Sequence, residues 1–451
     1  MPSLLNTTIR AYICIGVFLY AILFVLKEDV NISWYNVLNL YTFGCYAFLL
    51  WGSSNWADCH YSCRNLVITI FVYSVFFLSL NLLLSEYYTD NTFMFSESDA
   101  RLYEKGSFKL LEIPFSGWIP RMIKKNVEYA DWGATFIMSF MLHIIPSKLF
   151  INVSYLCLNT ISGIFLFKTG RIIMSSRYAY LAALTYSLSS YIFFFMGSFL
   201  KEIIMVTWVI LSLFFLYLYY QHDRLRYAIT GGIVSLVLIF FRPPVAVFIW
   251  ISYITMFFLK TKNGVFRCIG IGVMLVFFVA AFGMLQDASQ KYAHGGDITE
   301  SYEYKSTSGF QKAVLYAGAF IGPFPQLLQD DGEITYKPLF GAGLLFKLLL
   351  FFAFWKGLWY ALKNKRMEAI PIYAFVLTEI LGLSAALDGL ELRKSMPHVP
   401  FAILLAFWYI SAFDNSIESE ETRASDRIQT MRQFSVCIVV VLCAALIWNW
   451  R

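Results

Sequence analysis

Apolar runs of helix length recur along the whole chain, near 11–26, 35–52, 65–84, 147–167, 178–197, 203–221, 228–241, 245–259, 266–285, 340–362, 369–387, 397–413 and 433–449. About 20 such residues cross a bilayer as an α-helix, and only helices and closed barrels satisfy their backbones there. The pattern predicts an all-α, polytopic integral membrane protein with about 11–13 transmembrane helices, in one membrane domain over 1–451. Composition agrees where it bears on this: 59% of residues are hydrophobic and 14% charged, against roughly 25% charged in a soluble protein. A disordered chain and an ordinary soluble globule are thereby excluded. The net charge of +6 gives no reason to expect nucleic acid, because polytopic proteins collect Lys and Arg in cytoplasmic loops. No A-x-A-like cleavage site follows the first run, which is expected to stay as a helix.

The basic residues set the expected orientation. Lys168, Arg171 and Arg177 mark one connection, and His222, Arg224 and Arg226 a second. Lys260, Lys262 and Arg267 mark a third, and Lys363, Lys365 and Arg366 a fourth. With these four placed in the cytoplasm, the intervening runs alternate without conflict. The outer face then holds two long loops, 85–146 and 286–339, and three short corners. Within the first loop, 133–145 is too short to span and reads as an interfacial or re-entrant helix. Segment 414–432 mixes both signs of charge and reads as a solvated cytoplasmic linker. Asp58, Cys59, His60 and Cys63 lack the second ligand pair that a zinc site needs.

Chemistry is expected at the outer face. Glu97 and Asp99 lie in the first loop, where a carboxylate can take a proton from a hydroxyl. The plainer role for Asp99 is the N-cap of a helix starting at Ala100. Glu128 and Asp131 form a second acidic group before Trp132, with Asp131 again a candidate cap. Lys201-Glu202 sits in a tight turn between two long apolar runs. It is either a cation for a lipid phosphate, oriented by Glu202, or a self-neutralised pair. Arg242, before Pro243-Pro244, and Arg393, at a third corner, are guanidinium groups suited to phosphate. Glu379 falls inside a run, where a carboxylate is costly; it either pairs with Lys347 or Lys356 or lies on an ion pathway. His143, His294 and His398 read as incidental. Carboxylates in one outer loop and cations at three outer corners fit the joining of an acceptor hydroxyl to a sugar carried on a lipid phosphate.

On Ser98-Asp99-Ala100 with Tyr103, Asp131-Trp132-Gly133, Ser198 to Glu202, and Glu391-Leu392-Arg393 with Pro397 and Pro400-Phe401, the chain resembles the polytopic C-type-fold glycosyltransferases that use polyprenyl-phosphate-linked donors. It is similar too to the bacterial repeat-unit polymerases of capsule and O-antigen synthesis. The resemblance implies sugar transfer at the outer side of a bacterial inner membrane, with a lipid-linked sugar or oligosaccharide and a glycan acceptor as partners. Asp99 would be the general base, assisted by Glu97. Glu128 and Asp131 would assist or bind a divalent cation. Lys201, Arg242 and Arg393 would hold the donor phosphate with Glu202 beside them, and Tyr103 and Trp132 would stack on sugar. A transporter or flippase of lipid-linked glycans is the alternative from another class.

Overall fold

A computed structural model describes residues 3–26, 34–89, 98–124, 131–261, 272, 324–328, 337–385, 392–415 and 422–450. Glu97, Glu128, His294, Asp388, Glu391, all but one residue of the apolar run 266–285 and most of loop 286–339 lie outside the described residues. The described chain is all α: 88% is helical and no strand occurs in it.

Its helices are α1 (Leu4–Leu26), α2 (Trp34–Ser54), α3 (Cys63–Thr89), α4 (Ser98–Leu111), α5 (Trp118–Lys124), α6 (Trp132–Ile144), α7 (Lys148–Ile173), α8 (Ser176–Ser187) and α9 (Ser190–Gly197). There follow α10 (Glu202–His222), α11 (Leu225–Leu236), α12 (Pro243–Lys260), α13 (Gly341–Lys363), α14 (Ile370–Ala385), α15 (Leu392–Ser395), α16 (Val399–Asn415) and α17 (Thr422–Trp450). Seven of these helices, α1, α3, α7, α10, α12, α13 and α17, are long and apolar enough to cross a membrane. The pair α8 and α9, bent by 48° at their junction, makes an eighth if taken as one span. The protein is therefore a multi-pass membrane protein.

The break between α8 and α9 falls inside the bundle, where no water satisfies freed backbone groups. Side chains do so instead. Tyr46 Oη donates to the Thr185 carbonyl at 3.0 Å, and Asn159 Nδ2 donates to that of Ser187 at 3.0 Å. Ser190 Oγ accepts from the Gly343 amide at 3.1 Å, tying the break to α13. Each group left bare would cost roughly 1–3 kcal/mol.

Alternating helices bring a fixed set of corners to each end of the bundle. At one end lie the basic connections: Lys260 Nζ meets Asp223 at 2.7 Å and Arg177 donates to the Ser54 carbonyl. At the other lie α4 to α6, the α9–α10 turn, the α11–α12 corner and α15.

α4 to α6 form a layer rather than spans. α6 has 13 residues, about 20 Å of helix against a hydrocarbon core of about 30 Å. Trp118, Leu110 and Met122 bury against Phe136 and Trp132 in a small core of their own. Leu102, Phe115, Ile119 and Ile123 remain exposed, as suits a surface that rests in an interface. α6 is pressed onto the α11–α12 corner at Gly133. A Cβ there would sit 2.8 Å from the Phe240 carbonyl oxygen and 2.5 Å from the Phe241 ring. Only glycine admits this approach, and it fixes Asp131 relative to Arg242.

Candidate functional site

Four segments distant in sequence converge at this end of the bundle. α4 supplies Asp99 and Tyr103 from its first turns, and the start of α6 supplies Asp131. The α9–α10 turn supplies Lys201 and Glu202. The head of α12 supplies Arg242, held in extended backbone by the Pro243-Pro244 start of that helix, a position where proline is pre-organised. α15 supplies Arg393.

Their side chains form two bonded groups within electrostatic reach of each other. Arg393 Nε donates to Glu202 Oε1 at 2.6 Å, and its Nη1 donates to Asp99 Oδ2. Arg242 Nη2 stands 3.9 Å from the same Glu202 oxygen, while its Nη1 donates to the Lys394 carbonyl at 2.9 Å. Lys201 Nζ donates to Asp131 Oδ1 at 2.6 Å, and Tyr103 Oη donates to that oxygen at 2.8 Å. The Lys201 ammonium lies 5.8 Å from the Tyr103 ring centre.

Depth separates the members. The Glu202 side chain is 0% exposed, whereas that of Asp99 is 44% exposed. Glu202 Oε2 has no hydrogen-bond partner. Glu202 is thus a permanent anchor for Arg393, and Asp99 occupies the guanidinium's outward side. Burial pushes the Lys201 ammonium below the usual lysine range, although Asp131 pulls the other way. Burial, then the Asp131 carboxylate, pushes the Tyr103 hydroxyl up, so it stays a donor. Burial opposes the charge on Arg393, but Glu202 and Asp99 outweigh it and raise its pKa.

No protein-family model matches this chain, and no curated protein matches it.

Seven expected residues, Asp99, Tyr103, Asp131, Lys201, Glu202, Arg242 and Arg393, are brought together. Several local expectations are corrected. Asp99 lies in the first turn of α4 and binds Arg393 instead of capping the helix. Asp131 stands at the N-cap of α6 but makes no side-chain cap bond; Lys201 and Tyr103 take its carboxylate. Lys201 and Glu202 turn to different partners, Asp131 for the lysine and Arg393 for the glutamate. Tyr103 is 3% exposed, with Lys201 near its face, so it cannot stack on sugar and serves to hold Asp131. Trp132 lies parallel to Phe240, with centroids 6.4 Å apart, and packs in the small core beside the network. Among the described residues, no group of three or more His, Cys, Asp or Glu could hold a metal; Glu97 and Glu128 are not among them.

Sequence reasoning missed His398. Its Nδ1 stands 3.6 Å from Glu379 Oε2, whereas Lys356 donates to Gln433 at 2.8 Å. Pro397 and Pro400, which place His398 at the same corner as Arg393, were the available signal. Asp414 was missed as well. At the opposite end of the bundle its Oδ1 accepts from the Leu4 amide at 2.7 Å, and its Oδ2 accepts from Tyr178 Oη at 2.9 Å and the Leu5 amide at 3.4 Å.

Proposed function

We propose that this protein is a membrane glycosyltransferase. It moves a sugar from a polyprenyl-phosphate-linked donor to a glycan or glycolipid acceptor at the outer face of a bacterial inner membrane. The observation that carries the reading is the double use of Arg393, whose guanidinium is gripped from below by the buried Glu202 and capped from outside by the accessible Asp99.

In the resting network, three cations face three carboxylates. A phosphodiester arriving with its lipid tail among the apolar helices competes with Asp99 for Arg393, because both are planar or tetrahedral oxyanions that match its fork. Arg242 and Lys201 add positive charge beside it. Asp99, once displaced, is free to accept the proton of an acceptor hydroxyl. The hydroxyl oxygen then bonds to the anomeric carbon as the bond from that carbon to the phosphate oxygen breaks. The leaving phosphate keeps the electron pair and is held by the cations. Donor binding thus uncovers the base.

Purified protein in lipid, given a polyprenyl-phosphate-linked sugar and an acceptor, should release polyprenyl phosphate and couple the sugar. Asp99→Asn should fold, insert and fail to transfer; normal transfer by that variant sinks the assignment. Transfer of one sugar and transfer of a whole repeat unit are told apart by the length of the product. The second reading, movement of a lipid-linked glycan without chemistry, is favoured by the buried Glu379 and His398. It predicts relocation of the intact donor in the same vesicles.

A further inference from the structure

The layer of α4 to α6 carries positive charge of its own, apart from the cations around Glu202. The buried side of α4 is made by Ala100, Tyr103, Ser107 and Leu110. Leu102, Lys105, Phe108 and Lys109 take the other side and are all exposed, inside an arc of about 120° at 3.6 residues per turn. α5 repeats the mixture in short form: Trp118 and Met122 are buried, while Ile119, Ile123 and Lys124 are exposed. Leu102 is 61% exposed and Ile123 57%, which is far from a core role for either.

The cations of this face are unspent. Of the acids in 98–124, Asp99 holds Arg393 and Glu104 holds Lys148 at 2.7 Å. Glu112 is left, and it is exposed. Among the described residues, Lys105, Lys109, Arg121 and Lys124 form no ion pair, and Arg121 Nε has no hydrogen-bond partner. Four cations therefore stand against one carboxylate.

The mixture fits one kind of surrounding. Water over this face would leave Leu102, Phe108, Ile119 and Ile123 wet, and hydrocarbon over it would strand the ammonium groups. The headgroup region of a bilayer serves both. Apolar side chains enter the acyl boundary, and the lysine stems run along it to bring their charges up to the phosphates. A zwitterionic headgroup brings its own cation to a face already rich in them, whereas an anionic one brings the missing charge.

We propose that the exposed faces of α4 and α5 are a docking surface for anionic phospholipid headgroups, with Lys105, Lys109, Arg121 and Lys124 as their phosphate partners. The surface belongs to the leaflet at the end of the bundle opposite the basic connections. It needs only the bilayer and stands whether or not the residues around Arg393 transfer sugar.

Full-length protein in nanodiscs of phosphatidylglycerol and phosphatidylcholine in equal amounts tests this. Each lipid in turn carries a photoreactive diazirine beside its glycerol backbone, and the adducts are mapped by peptide mass spectrometry. Adducts on 98–124 should favour phosphatidylglycerol several-fold, by at most about fivefold for each cation engaged. The preference should shrink as salt is raised from about 0.1 M to about 1 M, where the screening length falls from about 10 Å to about 3 Å. Lys105→Gln, Lys109→Gln, Arg121→Gln and Lys124→Gln combined should abolish the preference and leave adducts of both lipids in place, because the apolar contacts remain. Equal labelling of the wild type by the two lipids overturns the proposal, and so does a preference that survives the four substitutions. The salt series on the wild type decides the matter if the combined variant does not fold, and a preference indifferent to salt overturns the proposal. A face that takes no adduct from either lipid and crosslinks to a second copy of the chain overturns it as well.

Discussion

The two ends of the bundle each carry a buried carboxylate that gathers donors from distant segments, and they use it oppositely. At the basic end, Asp414 receives two backbone amides and a phenol. Every donor is neutral and both oxygens are engaged, so nothing about the arrangement invites a ligand. At the other end, Glu202 receives Arg393, faces Arg242, and keeps one oxygen empty. Its partners are cations whose other N–H groups go to the exposed Asp99, from Arg393, and to the Lys394 carbonyl, from Arg242. A saturated carboxylate holds structure together; an unsaturated one that anchors cations keeps charge available for something else.

The sharpest way to break this contrast is Arg393→Ala. It leaves the Glu202 charge buried without its nearest partner, at a cost of roughly 3–5 kcal/mol. Thermal unfolding should fall steeply and transfer should vanish. A variant as stable as the wild type would mean that Glu202 anchors nothing. Next is Asp99→Asn, which should lower the transfer rate by roughly 10²–10⁴-fold while the unfolding temperature holds. Asp414→Ala should behave in the reverse way. It strands buried donors, removing about 2 kcal/mol of stability, with transfer per folded molecule unchanged. If Asp414→Ala reduced transfer as much as Asp99→Asn, the two ends would not differ in kind.

The smallest effect concerns Lys201. Its folded pKa lies below that of an ordinary lysine because it is buried. Between the folded value and the unfolded value of about 10.4, the unfolded chain binds more protons, so this group makes stability rise with pH across that window. Anion affinity should fall over the same window, as the folded ammonium loses its proton early. Binding of a phosphodiester measured across alkaline pH checks this, and Lys201→Arg should move the decline to higher pH.

Much of the fold was legible because hydrophobic runs at helix length leave a chain in lipid few choices. Twelve of the thirteen runs read from the sequence coincide with described helices, and one, 266–285, lies outside them. The gathering of Asp99, Lys201, Arg242 and Arg393 could be anticipated because alternation alone sends those corners to one end. Who binds whom could not. Lys201 and Glu202 looked like a pair by adjacency, yet neighbours on a helix do not face each other, and each turned to a different element. Asp99 and Asp131 carried the local signature of caps, but a nearby buried cation outbids a backbone amide for a carboxylate. The spacing of Tyr103 gave no hint that its hydroxyl would be spent on Asp131.

The Asp414 clasp has a consequence for how the protein is made. The amide of Leu4 is paired with a side chain 410 positions further along. Until α16 has been synthesised, the leading amides of α1 lack the carboxylate that receives them in the folded protein. Only when α16 arrives does the first helix receive its lid, with Tyr178 meeting the same carboxylate. An early segment that waits so long for a late one makes the seating of α1 a report on whether everything between has been assembled.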